Sequence, residues 1–247
     1  MATPDSIGPR SSSEHRFFGA MAIAIAATIV AGFARTYYLR PLFVAAGGHV
    51  VRTLTPLIHV HGLLFSGWIA LLVLQTRLVA ARRVDLHRRF GVAGALLAAA
   101  MVPVGLVVAF QGVVRGTAAP GMDPRRFLAL PFFAVVVFAV LLAAALWLRR
   151  DPQTHKRLVL LATLALLPPA IARWVIFQFG FAPPVVFVLV TLFLVPLVVW
   201  DLRTLGRLHP ATLWGGLFLV LSAPGRFLLA GTDLWLAFAD WAAALVR

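Results

Sequence analysis

Residues 127–148 read FLALPFFAVVVFAVLLAAALWL, twenty-two consecutive positions without a charged or amide side chain. As a helix this run would rise about 33 Å at 1.5 Å per residue, enough to cross the roughly 30 Å hydrocarbon layer of a bilayer. Lipid offers the backbone no hydrogen-bond partners, so a spanning segment must be a helix or part of a closed barrel. The run is continuously apolar and does not alternate, which predicts a helix. Comparable runs fall at Phe17 to Ala34, Leu54 to Leu74, Phe90 to Val114, Leu158 to Phe177, Phe181 to Trp200 and Ala211 to Ala230. The expected fold is therefore all-α: a polytopic transmembrane helical bundle of about seven spans.

Composition agrees with this reading. Of 247 residues, 62% are hydrophobic and only 12% charged, with a mean hydropathy of +0.95, well outside the usual make-up of soluble domains. The formal charge of +14 comes from 22 basic residues, of which Lys156 is the single lysine. These residues flank the apolar runs and form no patch interleaved with aromatics, so nucleic acid is not an expected partner. The expected surroundings are the lipid bilayer, with room for a homo-oligomer or a larger membrane complex. The chain has no cysteine, which excludes disulfides, thiolate metal sites and cysteine nucleophiles.

Outside the spanning region of residues 17–230 lie a polar tail, residues 1–16, and a C-terminal segment, residues 231–247. Asp233, Asp240, Trp235 and Trp241 stand among apolar residues in that segment, a mixture suited to a helix at the membrane interface. Phe17 to Ala34 is too long for an ordinary signal-peptide core and reads as a retained first span. With seven spans, thirteen Lys and Arg fall on the side of the N-terminus and nine on the other, Arg173 and Arg226 being assigned to the nearer interface. The bias places the N-terminus in the cytoplasm.

Prolines at 103, 131, 168, 169, 196 and 224 lie within the expected spans and predict bends. Two loops echo one another: RRVDLHRRFG from Arg82 and RRDPQTHKRL from Arg149 each carry two arginines, an acid, a histidine and two more bases opening a helix. The echo suggests that spans two and three, and spans four and five, are related hairpins.

Histidines are the most informative polar residues. His59 and His61 lie inside the second span, where an imidazole is costly unless it faces protein. Two residues apart on a helix, they point about 200° from one another and cannot readily serve one ligand. His15, His87, His155 and His209 each open an odd-numbered span from the N-terminal side. His87 and His155 are the best-matched pair for haem b held between two helices. A second haem at the other end would need the loop bearing His49 or a second subunit. The common alternative for all these histidines is an interfacial or structural role. Arg173, after Pro168-Pro169, is a candidate for an anionic or quinone-like headgroup, with His59 and Gln111 expected at similar depth. The candidate cofactor-binding residues are thus His59, His61, His87, His155 and Arg173; no catalytic residue and no metal set is assigned.

The eight acids all lie in tails, loops or span ends, which disfavours an ion-coupled transporter. Neither H-E-x-x-H nor a glycine-rich phosphate fingerprint occurs.

The succession HVHGLLFSGWIALLVLQTRLVAARRVDLHRRFG, a hairpin, and THKRLVLLATLALLPPAIAR resembles bacterial multispan membrane proteins of unknown function. These carry a His-bearing span, an HRxxG motif and a later basic helix start, and they look distantly like cytochrome b-type bundles. The matching positions are His59 or His61, Gln75, His87, Arg88, Gly91, His155, Lys156 and Arg173, over about Thr53 to Arg173. Leu158-Val159 stands where the pattern has an aromatic followed by Met. The resemblance implies a multi-pass protein of the inner, cytoplasmic membrane and supplies no activity. Three functions are open: an accessory or assembly subunit, a b-type haem protein for electron transfer, and a small-molecule carrier.

Overall fold

The computed structural model describes residues 9–47, 53–180 and 183–247. Its elements are α1 (Pro9–Phe33), continued by a π-helical turn (Ala34–Tyr38), α2 (Arg40–Ala45), α3 (Pro56–Ala80), α4 (Val84–Val114), α5 (Pro124–Phe127), α6 (Ala129–Trp147), α7 (Pro152–Leu164), α8 (Pro168–Phe179), α9 (Pro183–Leu192), α10 (Leu194–Leu205), α11 (Pro210–Ala230) and α12 (Asp233–Ala244). Among the described residues there are no strands, and seven helical stretches are long and apolar enough to cross a membrane. The protein is an all-α, multi-pass membrane bundle. His49 and Phe181, the expected start of the sixth span, lie outside the described residues.

Most helices begin before their apolar run does. The fifth spanning stretch starts at Pro152 and the fourth at Pro124, where hydropathy alone suggests Leu158 and Phe127. Helical backbone continues past the hydrocarbon because these starts are capped. Asp123 accepts from Arg125 N at 2.7 Å, Asp151 from Gln153 N at 2.9 Å, and His209 Nδ1 from Ala211 N at 3.1 Å. Each cap precedes a proline at the first helical position, where a missing N–H costs nothing.

The same rule explains the interior prolines, most of which do not kink a helix. Pro131, Pro168, Pro169 and Pro196 sit in the first turn of α6, α8 and α10, because the chain breaks just upstream and restarts. At the fifth span the break is closed by tight bonds, Leu166 N to Thr163 O at 3.0 Å and Leu167 N to Leu164 O at 3.1 Å. Pro103 and Pro224 remain inside α4 and α11.

The fifth span is the centre of the bundle: 67% of its most apolar window is buried, against 17% for the second. Trp68 of α3 donates to Thr163 Oγ1 at 3.2 Å and stands edge-on to Phe138 of α6, with centroids 5.2 Å apart, joining spans two, four and five. α3 packs along α4, and α6 along α7, so each echoing loop closes a pair of packed helices. The first span closes on α8 through Gly32, where a Cβ would lie 2.5 Å from the Ala170 carbonyl oxygen.

Across the end where α4 finishes lies α12. Trp235 Nε1 donates to Arg125 O at 2.8 Å, and Phe238 meets Phe110 and Phe132. These partners belong to the last two turns of α4 and the start of the fourth span, so this helix, about 18 Å long, crosses the end of the bundle and does not return through it.

One polar contact inside the bundle escaped the sequence reading. Arg157 and Asp201, 1% and 0% exposed in their side chains, form an ion pair with Nε and Nη2 donating to Oδ1 at 3.1 and 2.5 Å. Gln153 takes Nη1 through both its backbone and side-chain oxygens, at 3.0 and 2.7 Å. Asp201 Oδ2 accepts from His209 N at 3.1 Å. Beside them Lys156 pairs with Glu14 of α1, so spans one, five, six and seven are tied at one end. Arg157, counted as a loop base in the charge tally, is buried; so is Arg226, 2% exposed, which was counted at the opposite interface. One comes off each side, so the charge bias is unchanged.

Leaving either partner alone strands a buried charge, at a cost of about 3–5 kcal/mol, whereas an apolar pair of similar size is often near neutral. Arg157→Met and Asp201→Leu are each expected to lower the melting temperature in detergent sharply, and the double variant to recover most of the loss. Gly32→Leu is expected to destabilise as well, by forcing α1 from α8.

Candidate functional site

The five candidate residues fall into two groups at opposite ends of the bundle. His87 and His155 are each the fourth residue of their helix, α4 and α7, which is how the echoing loops bring them to one level. Their ring centroids lie 6.5 Å apart with planes at 85°. His155 Nδ1 is 2.9 Å from the Ala145 carbonyl oxygen; a carbonyl can only accept, so Nδ1 carries a proton, and in the neutral tautomer with that proton the lone pair is on Nε2. On the other ring, His87 Nδ1 is buried and has no hydrogen-bond partner. Gln75 of α3 donates from Nε2 to His87 O at 3.2 Å, while its Oε1 is buried and unpartnered too. Orphaned buried polar atoms are uncommon in folded proteins, and here two of them flank one histidine pair.

At the other end, His61 and His59 part as their spacing requires. His61 turns inward, its ring 4.1 Å from that of Phe65, with Nδ1 buried and unpartnered. His59 is exposed, its ring 5.8 Å from that of Tyr37, whose hydroxyl donates to His59 O at 3.3 Å. Gly62 leaves the room that the Tyr37 ring fills. Arg173 of α8 meets the end of the first span. Its guanidinium lies 3.9 Å over the Phe33 ring and donates from Nε to Thr36 Oγ1 at 3.0 Å and from Nη1 to Pro169 O at 2.6 Å. Gln111 is not part of this group. It accepts from Arg115 Nη2 at 2.6 Å, while the partners of Arg173 are Thr36, Pro169 and Phe33. The π-helical turn of residues 34–38 carries Thr36 to Arg173 of α8 and Tyr37 and Tyr38 to α3, and such a turn has no periodicity signal in the sequence.

Among the described residues no three His, Asp or Glu side chains gather as a metal site. His209, the last histidine of the odd-span series, caps α11. Burial holds its imidazole below the ordinary 6.5, and the neighbouring Arg157 and Lys156 charges act in the same direction, against Asp201 and Asp151. The Ala211 N–H donated to Nδ1 requires that nitrogen unprotonated, consistent with a neutral ring.

No family model, curated protein or solved structure matches the chain. Its functional reading therefore comes from these two groups of residues.

A depressed histidine favours the fold in its neutral form. Stability contributed by His209 is full above about pH 6.5 and is lost as pH falls from 6.5 toward its lower folded value. Melting temperatures measured from pH 7.5 to 5 are expected to fall less steeply for His209→Asn, which keeps a capping oxygen and does not titrate, than for the natural chain.

Proposed function

We propose that the protein is a haem b-binding electron-transfer protein of the bacterial inner membrane, with its N-terminus in the cytoplasm and the cofactor held between His87 and His155. The observation that carries this reading is the pair itself: two imidazoles from different spans, at one level, 6.5 Å apart between centroids. An ion bound by two imidazole nitrogens at about 2.0–2.1 Å each sets ring centres roughly 6 Å apart. The surroundings support it. The Ala145 carbonyl anchors Nδ1 of His155, so Nε2 would be the nitrogen to hold the cofactor. The unpartnered Nδ1 of His87 is a second nitrogen available for ligation. Bound haem would supply one-electron chemistry; the chain supplies the two ligands and their orientation.

An accessory or assembly subunit is the second reading, favoured by the Arg157–Asp201 network, which serves packing. A carrier has less support. The breaks in the fifth and sixth spans, which could have opened a path, are filled by Leu164, Leu167 and Leu197, each 0% exposed.

Protein purified in detergent after expression with a haem precursor is expected to show a Soret band that shifts on reduction. His87→Ala and His155→Ala should each abolish the band, and His59→Ala should keep it. A colourless, folded natural chain would end the haem reading, and its recovery in stoichiometric complex with other membrane subunits would favour the accessory one.

A further inference from the structure

Arg226, 2% exposed, is a cation that meets no carboxylate among the described residues. Six of the seven acids there are engaged elsewhere: Glu14 with Lys156, Asp85 with Arg83, Asp123 and Asp240 with Arg125, Asp201 with Arg157, and Asp151 as the cap of α7. The seventh, Asp233, is exposed in the first turn of α12. The guanidinium has only neutral partners. Nη2 donates to Ser222 Oγ at 3.0 Å and Nη1 to Leu130 O at 3.5 Å, and the Phe187 ring centre lies 5.4 Å away. Nε is buried and has no hydrogen-bond partner. Arginine does not escape by losing its proton, and an ion held away from water without a counter-charge is costly.

The same side chain lines a cavity between α8, α9 and α11, together with Pro168, Phe187, Thr191, Leu219 and Ala223. The centre of a water-sized sphere has about 10 Å³ in which to move there, which is room for one small occupant and not for a lipid headgroup. The side chains around it are apolar apart from Arg226 and Thr191, and the Thr191 hydroxyl already donates to Phe187 O at 2.8 Å. The side-chain donor left for an occupant is therefore Arg226. A water molecule would take a hydrogen bond from it and leave the charge unanswered. A monatomic anion answers both, and chloride is the abundant one. Arg226 stands four residues before the end of α11, about 6 Å along the axis, so the ion has a short distance to travel from the end that α12 crosses.

We propose that this cavity holds a chloride ion against Arg226. The guanidinium supplies the charge and the donors, and the apolar walls keep out the water that would otherwise compete for the ion.

The test follows the melting temperature of the full chain in detergent as chloride replaces gluconate at constant ionic strength. The natural chain is expected to show a rise that saturates with chloride concentration. Arg226→Gln, which keeps hydrogen-bond donors without the charge, should lose the rise. Ala223→Val, which keeps the charge and fills the cavity, should lose it too. Should Arg226→Gln not fold, Ala223→Val carries the test alone. Equal melting temperatures of the natural chain in the two salts, or a rise undiminished in Ala223→Val, overturn the site. A rise that does not saturate is a general effect of the salt on the protein surface and overturns it as well.

Discussion

The bundle is organised by the pairing of Arg157 with Asp201. Two full charges lie within the packed interior, and such a pair is tolerable only when its remaining donors and acceptors are met. Here Gln153 fills one side of the guanidinium and the His209 backbone N–H takes the second carboxylate oxygen. Because these partners come from α7, α10 and the start of α11, satisfying them sets how far each helix slides along its neighbours. The fifth span is thereby held at one depth, and with it His155, two residues before Arg157. A rotation of α7 large enough to free the ion pair would also carry His155 away from Ala145 and His87.

The two ends of the molecule differ in how they handle charge. At the N-terminal end Lys156 meets Glu14, Arg157 meets Asp201, and Asp151 caps the helix that carries both bases. At the other end Arg125 pairs with Asp123 and Asp240, but Arg173 and Arg226 are held by hydroxyls, carbonyls and aromatic faces. Arg226 donates to Ser222 Oγ at 3.0 Å and sits over the Phe187 ring, beneath the end that α12 crosses. The buried bases of the N-terminal end are neutralised by carboxylates, whereas Arg173 and Arg226 at the other end have neutral oxygens and ring quadrupoles, which are weaker partners for a cation.

Much of the architecture was legible in the chain. The apolar runs gave the number of spans, and the Asp-Pro and His-Pro dipeptides at 123, 151 and 209 were readable helix starts, although hydropathy placed the starts later. The echo of RRVDLHRRFG and RRDPQTHKRL put His87 and His155 at the same helical position. The opposed directions of His59 and His61 followed from their spacing. Other features were not legible. Interior prolines were expected to bend helices, but a broken and restarted helix places them where no N–H is needed, and local sequence does not distinguish the two outcomes.

Sequence alone determined that the chain enters a bilayer as helices, because apolar runs of this length lower their free energy only there and only with their backbone bonds closed within each segment. Tertiary structure decided which polar residues meet. Arg157 and Asp201 stand 44 positions apart, Arg173 and Thr36 137 apart, and no periodicity within either segment records the other. Their meeting depends on how helices pack side by side, which is set by small residues such as Gly32 and by the shapes of the side chains between them.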